Sequence, residues 1–103
     1  MRIAEVIGTV TLSTRLEDVP PGKLLIVRPL GADALLAGSP SDATPVVAYD
    51  ELGAGRGCRV AISEGREASA PFYPRRVPFD AYCAAIMDTV RIDKRDQTKG
   101  VVR

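Results

Sequence analysis

The N-terminal stretch MRIAEVIGTVTL, residues 1–12, decides the fold class of this chain. Its even-numbered residues from 4 to 12 are Ala, Val, Gly, Val and Leu, and a period of two places them on one face of a strand. The other face carries Glu5 and two threonines, although Ile3 and Ile7 make it partly apolar. The pattern predicts a β-strand over residues 3–12. Gly8 in its middle indicates a bend or bulge, as in a small barrel.

Three more short strands are predicted after the first. The segment KLLIVR (residues 23–28) holds four consecutive apolar residues, which indicates a strand covered on both faces. The segments VVAY (46–49) and CRVAIS (58–63) are interpreted as the third and fourth strands. The Pro-Pro-Gly run at 20–22 and the turn-forming residues 50–57 separate these strands along the chain.

The other segments are interpreted as connections. Residues 31–45 are small and polar apart from Leu35 and Leu36, and we predict a long hairpin loop there. Residues 63–68 have room for one helical turn. The prolines at 71, 74 and 78 predict an extended chain over residues 70–79.

Residues 80–93 fit two patterns. Alanine-rich composition and a capping Asp80 favour a helix over 81–87. Alternation of side chains from Tyr82 through Val90 and Ile92 favours a strand instead. From the residues alone, both interpretations stay open.

These patterns together predict a mainly all-β chain of five to six short strands, with at most a short helix. Closing such a sheet into a small barrel removes its exposed edges. The length of 103 residues, with 46% hydrophobic and 26% charged residues, is typical of one globular domain. We place that domain at residues 1–93 and expect residues 94–103 to form a flexible tail.

The composition excludes several kinds of site. The chain has no histidine, so it holds neither a Ser/His/Asp or Cys/His nucleophile system nor a His-ligated metal, and we expect no cofactor. Cys58 and Cys83 lie in apolar runs and are predicted to be reduced and buried. No apolar run approaches the ~20 residues of a membrane span and no signal peptide is apparent, so we expect a cytoplasmic protein without a membrane partner.

The charge is unevenly distributed along the chain. Residues 1–93 hold ten basic and twelve acidic residues, a net charge of −2, whereas residues 94–103 hold four basic and one acidic, a net charge of +3. The tail is either a solvated terminus or a basic arm that touches an acidic surface. A body with this charge has no strong attraction to nucleic acid.

Two motifs suggest catalytic or cofactor chemistry at first sight. Gly53-Ala54-Gly55-Arg56-Gly57 approaches the dinucleotide-binding pattern but has Cys58 where the last glycine should stand, and no helix follows it. A tight turn that needs positive φ angles explains it better. The acids at 50, 51, 88 and 93 show no spacing that would pair two of them across a cleft, so no catalytic residue is assigned.

The segment around Arg75 and Arg76 is the best candidate for a partner surface. Arginine is enriched at interfaces because its planar fork binds carboxylates at two points. Phe72, Tyr73 and Phe79 add apolar area next to it. The residues themselves therefore indicate a non-catalytic barrel that forms oligomers, without naming its role.

An ordered set of motifs resembles the bacterial microcompartment vertex family of the EutN/CcmL type. The opening MRIAEVIGTV (1–10) and the second strand KLLIV (23–27) are similar to that family. VAYDELGAG (47–55) resembles its A-x-D-x-x-G-A-G turn, VAISEG (60–65) the following strand and loop, and PFDAYCAAIMDTV (78–90) its closing segment. Phe79 stands where a valine is common, and residues 66–68 depart from the family's small residues.

The resemblance, which covers residues 1–93, implies an OB-like barrel that assembles into a homopentamer and a strand over residues 80–93. It implies a structural role in which the pentamer caps the vertices of a microcompartment shell built from hexagonal shell proteins. We expect the subunit interface to include Gly53, Ala54, Gly55, Arg75, Arg76 and Phe79. We expect the loop Ser63, Glu64, Gly65 and Arg66 to lie near the ring axis, where the charges of Glu64 and Arg66 filter ions or pair with neighbours.

Three other functions are weighed against the vertex role. OB-like barrels often bind oligonucleotides, but this requires a basic groove with stacking aromatic residues. A small enzyme is disfavoured because the sequence has no histidine and no motif of paired carboxylates or of a nucleophile. An interaction barrel without a shell role would fail to assemble with hexagonal shell proteins.

Overall fold

The computed structural model describes residues 1–93. Five strands form its framework, numbered along the chain as β1 Arg2–Val10, β2 Lys23–Pro29, β3 Val46–Asp50, β4 Arg59–Glu64 and β5 Ala81–Ile86. The connections contain two short α-helices, α1 Ala32–Ala37 and α2 Arg66–Ser69, and a 3-10 helix, Ala70–Phe72. The predicted fold class, mainly all-β with five to six strands and little helix, is confirmed. The tail predicted over 94–103 lies outside the described residues.

The strands close into a barrel in the order β1-β2-β3-β5-β4. Neighbouring strands are antiparallel except β3 and β5, which are parallel and share a single paired position, Tyr49 opposite Tyr82. The β1–β2 ladder shifts register between Val6 and Gly8, which confirms the bulge predicted at the glycine. Because so little backbone pairing joins β3 to β5, side chains have to complete the barrel at this seam.

The core consists of the inward-facing residues of the strands. Ala4 and Val6 of β1 are buried as the alternation predicts, whereas Leu12 lies beyond the end of β1 and is exposed. The larger core side chains, each at most 1% exposed, are Val6, Leu25, Val27, Val60 and Ile62. Full burial of a Leu or Ile side chain contributes about 2 kcal/mol, so this small set supplies much of the driving force for folding.

The connection between β2 and β3 is not a plain loop. It joins antiparallel strands as predicted, but residues 32–37 form α1 within it. Ala and Leu are strong helix formers, and five of the six residues of α1 are Ala or Leu. The small side chains that we interpreted as loop composition therefore support a helix of less than two turns.

The prediction of an extended segment over residues 70–79 is wrong for its first part. Residues 70–72 form a 3-10 helix with proline in its first turn, and residues 73–75 form a turn and a bend. Proline at the start of a helix loses no hydrogen bond, because the first N–H groups of a helix have no partner inside it. A proline-rich stretch is therefore compatible with one tight helical turn.

Within residues 80–93 the chain forms a strand over 81–86 and not a helix. This confirms the strand that the resemblance implied, but the strand does not extend to Ile92. Met87 still donates a backbone hydrogen bond to Arg59, at 2.7 Å. Since β4 begins at Arg59, residues beyond Met87 have no neighbouring strand to continue the ladder. The end of β4 thus sets the end of β5.

Candidate functional site

The turn between β3 and β4 is organised by a buried carboxylate. Asp50, only 1% exposed, accepts backbone hydrogen bonds from Leu52 at 3.1 Å, Gly53 at 3.0 Å and Ala54 at 2.9 Å. Gly53 and Gly57 have φ angles of 87° and 89°, a region that side chains other than glycine rarely enter. The prediction of a positive-φ turn in place of a dinucleotide loop is confirmed. Asp50 holds this turn together through these three hydrogen bonds.

Two of the three interface candidates in this turn, Gly53 and Gly55, are accessible at the surface, and Ala54 is not. Ala54 is fully buried and belongs to the core of the chain. Gly53 and Gly55 have open space where a side chain would stand, so their backbone faces outward. Lys23 donates from Nζ to the carbonyl of Ala54 at 3.2 Å and fixes the turn to β2.

The two cysteines are free thiols with different surroundings. Cys83 is buried in the core as predicted, whereas Cys58 is only half-buried and packs against the edge of the core. Burial, helped by a hydrogen bond to the carboxylate of Asp50, raises the pKa of Cys83 to about 12. At neutral pH Cys83 is therefore a protonated, unreactive core residue.

Four aromatic rings fill the seam between β3 and β5. Tyr49 stacks on Phe79 with ring centroids 4.3 Å apart, and Phe72 stands edge-on to Tyr49 at 5.4 Å. Tyr82 lies on the other side of this cluster, 5.7 Å from Phe72, and its hydroxyl donates to Glu51 at 2.9 Å. Burial raises the pKa of both tyrosines. These rings supply the closure that the backbone ladder lacks at the seam.

The predicted partner surface around Arg75 is therefore divided. Phe72 and Phe79 are half-buried in the aromatic cluster, whereas Tyr73 is 86% exposed. Arg75 and Arg76 are exposed as well, and among residues 1–93 the guanidinium of Arg75 makes one long contact, of 3.5 Å, to the backbone carbonyl of Glu17. Of the five aromatic residues of the chain, four are engaged with one another, which leaves Tyr73 as the single exposed ring.

The loop at the end of β4 carries one paired and one unpaired charge. Glu64 accepts two hydrogen bonds from the guanidinium of Arg2, at 2.6 and 2.8 Å. This contact lowers the pKa of Glu64 and raises that of Arg2. Gly65 turns the chain with a φ of 66°, and Arg66 begins α2 without an acidic partner among residues 1–93.

Within residues 1–93, no group of three His, Cys, Asp or Glu side chains is placed to hold a metal ion. The helices of the same part of the chain are too short and too polar to cross a membrane. Two of the acids considered as acid/base candidates make structural hydrogen bonds. Asp50 accepts from the backbone of the turn, and Glu51 accepts from the hydroxyl of Tyr82.

Sequence reasoning missed the two residues that organise this region. Asp50 is placed in a turn by the sequence analysis and considered as an acid/base candidate, but its role as the acceptor that caps the turn is not predicted, although an Asp followed three residues later by Gly is the pattern of a side-chain-capped turn. Tyr49 was interpreted as an ordinary strand residue, but its hydroxyl donates to the carbonyl of Pro21 at 2.8 Å and its ring anchors the aromatic cluster. Nothing in the local sequence indicates this second role, because its partners come from distant segments.

Comparison with known proteins gives concordant matches over nearly the whole chain. The family model described as "Ethanolamine utilisation protein EutN/carboxysome" matches residues 1–88. The carboxysome shell vertex protein CcmL of Thermosynechococcus vestitus is 39% identical over 94 residues, which are 90% of this chain and 89% of that protein. The microcompartment shell vertex protein PduN of Salmonella typhimurium is 34% identical over 90 residues, 87% of this chain and 98% of that protein.

A solved structure agrees with these sequence matches. The pentameric microcompartment shell protein GrpN of Rhodospirillum rubrum superposes with a TM-score of 0.72 and 32% identity, covering 90% of this chain and 99% of that one. The residues that the family model matches, 1–88, include the barrel, the Asp50 turn and the seam.

Proposed function

The chain belongs to the EutN/CcmL family, and from that premise we propose that five copies of it form a ring that caps the vertices of a bacterial microcompartment shell. The observation that carries this proposal is the end-to-end similarity to proteins described as shell vertex proteins and as pentameric. The match covers 89–99% of the length of those proteins.

The role we propose is geometric. A flat layer of hexagonal tiles closes into a polyhedral shell only when five-fold units replace tiles at the corners. Cyclic, head-to-tail contacts between identical barrels give such a closed ring. We propose no reaction for the chain, in keeping with its relatives, which are structural shell proteins, and we place it in the shell of the compartment with hexagonal shell proteins as partners.

Native mass spectrometry of the full chain at micromolar concentration tests the ring directly. We expect a species of about 55 kDa, five times the 11.0 kDa of one chain. A monomer that persists across the concentration range contradicts the proposal. Assembly with hexagonal shell proteins then tests the role: closed shells should require the chain, and shells that close equally well without it would leave the ring without this function.

We propose that the interface between copies includes the turn at Gly53 and Gly55, with Ala54 buried beneath it, and the segment with Arg75, Arg76 and Phe79. The outward-facing backbone of the turn and the exposed arginines support this. A Gly55→Gln substitution meets no atom within its own chain near the new Cβ, so loss of the ring in that variant would indicate a contact with a neighbour. Thr11→Gln, an exposed position after β1, serves as the control.

We propose that the loop formed by Ser63, Glu64, Gly65 and Arg66 lies near the ring axis. Pairing of Glu64 with Arg2 supports a structural role for that carboxylate, because a charge held in an ion pair is a poor ion filter. An Arg66→Cys variant in a Cys58→Ala/Cys83→Ala background should form disulfides between copies under mild oxidation. Absence of such cross-links in an intact ring would place the loop on the rim.

The proposal includes no nucleic-acid partner. The self-packed aromatic cluster and the net charge of −2 over residues 1–93 support this. Titration with single-stranded DNA at low and high salt provides the test, since tight and salt-sensitive binding would revive the oligonucleotide-binding function.

A further inference from the structure

A basic cleft lies beside α2. It has a volume of about 590 Å³ and is lined by Arg66, Arg75, Arg76, Ser69 and the exposed ring of Tyr73, with no acidic residue in its wall. None of its three guanidinium groups has an acidic partner among residues 1–93. Three positive charges crowded into one cleft repel one another, so the cleft favours an anionic occupant.

An acidic cleft lies beside α1. It has a volume of about 770 Å³, and its only charged lining residues are Asp33 and Asp42. Both side chains are exposed and have no basic partner among residues 1–93. The rest of its wall consists of Gly, Ala, Ser and Pro, whose small side chains leave the two carboxylates accessible to a neighbouring surface.

The strand topology places the two clefts on opposite sides of β1. Both β2 and β4 run antiparallel to β1, so both end beside its first residues. This is seen in the hydrogen bond from Leu30 to the carbonyl of Ile3, at 2.9 Å, and in the Arg2–Glu64 ion pair. The acidic cleft follows β2 and the basic cleft follows β4, and β1 separates these two strands in the barrel.

From this placement we infer that the basic cleft of one copy receives Asp33 and Asp42 of the next copy around the ring. A head-to-tail interface joins two different patches of the same chain, one on each flank, and complementary charge selects that register. The inference rests on the proposed ring and names the surfaces that build it. It also explains why α1, which contributes no buried residue to the barrel, projects its charge outward.

Charge reversal tests the pairing without disturbing the barrel, because Asp33, Asp42, Arg75 and Arg76 are all exposed. In an Arg75→Glu/Arg76→Glu variant, two acidic surfaces would face each other at every contact. We expect the protein concentration at which half of the rings dissociate to rise about tenfold or more. An Asp33→Arg/Asp42→Arg variant should behave in the same way, with two basic surfaces facing each other.

The variant that carries all four substitutions is the decisive measurement. In this variant the signs of the two clefts are exchanged, so opposite charges again face each other at every contact. It should therefore form rings about as stable as those of the natural chain. The control is Arg15→Glu/Arg91→Glu, which makes the same change in net charge outside both clefts and should leave the ring intact. Native mass spectrometry and sedimentation at two salt concentrations measure the ring, and circular dichroism verifies the fold.

Each outcome separates this inference from the proposed function. A natural chain that never forms rings overturns the function and the inference together. Rings that survive either double reversal unchanged overturn the inference alone and leave the vertex role standing. Two disruptive double variants whose combination is not restored also overturn it, since the clefts would then contact other surfaces.

Discussion

The carboxylate of Asp50 and the backbone N–H of Ala54 form a buried hydrogen bond of 2.9 Å across the turn that joins β3 to β4. The same carboxylate accepts from Leu52 and Gly53, so one side chain satisfies three donors of a turn that has no ladder of its own. Buried donors without acceptors are costly, and this is why an acidic residue is tolerated at 1% exposure inside a small barrel.

Replacing Asp50 by alanine should therefore destabilise the chain by about 3 kcal/mol, because three backbone donors lose a charged acceptor and one of them is fully buried. Asp50→Asn keeps one carbonyl oxygen and should cost less. Urea unfolding at fixed protein concentration measures both. Asp88→Ala, at an exposed position after β5, is the control and should change stability by less than about 0.5 kcal/mol. A loss of that small size for Asp50→Ala would show that the turn forms without its cap.

Gly22 lies directly under the ring of Tyr49, and this contact sets a second prediction. A Cβ at Gly22 would overlap the hydroxyl and the ring of Tyr49, which is 1% exposed and anchored by its hydrogen bond to Pro21. Gly22→Ala should therefore cost about 1–3 kcal/mol, as overpacking does. The matched control is Gly31→Ala, where the new Cβ meets no atom within 4 Å and which should be close to neutral. Equal urea midpoints for the two variants would contradict the close approach.

The barrel could be predicted from the sequence because its strands follow simple local patterns. β1 alternates with a bulge at Gly8, and β2 is apolar on both faces, so the period of the side chains is enough to place them. The error at the end of β5 occurs where a long-range partner decides. Ile92 continues the alternation of β5, yet the strand ends at Ile86 because β4 offers no partner beyond Arg59.

The candidate site was less accessible to sequence reasoning. Exposure of Arg75 and Arg76 followed from their charge, but a cleft shared with Arg66 depends on how the chain folds back after α2. Phe79 was expected to face a neighbour, whereas much of its ring is used by stacking on Tyr49. The order of motifs identified the family, but only the packing of distant segments assigns each residue its contacts.

The Arg2–Glu64 pair ties the start of β1 to the end of β4, and its contribution should be small. Both side chains are partly exposed, so solvent screens the bidentate contact and a double-mutant cycle at pH 7 should give at most about 1 kcal/mol. The pKa of Glu64 is lowered in the folded state. The coupling should therefore be fully present above the ordinary pKa of glutamate and disappear as the pH falls through the lowered value. Coupling that persists at pH 2 or in 1 M salt would show a contact other than an ion pair.

Cys83 should make the chain less stable as the solution becomes alkaline. Burial and Asp50 raise its pKa to about 12 in the folded state, whereas a thiol in the unfolded chain ionises near 8.5. The stabilisation is complete below the unfolded pKa and is lost as the pH rises toward the folded one, because the unfolded state alone releases the proton.

Between pH 8 and pH 10 the free energy of unfolding should fall by about 1–2 kcal/mol more in the natural chain than in Cys83→Ala. Cys58→Ala keeps Cys83 and should retain the full decline. Ionisation of Tyr49 and Tyr82 in the unfolded chain also lowers stability near pH 10, because their folded pKa values are raised, but this contribution is common to all variants and cancels in the comparison. Parallel stability curves for the natural chain and Cys83→Ala over this range would show that the thiol ionises without unfolding, and so that water reaches it in the folded barrel.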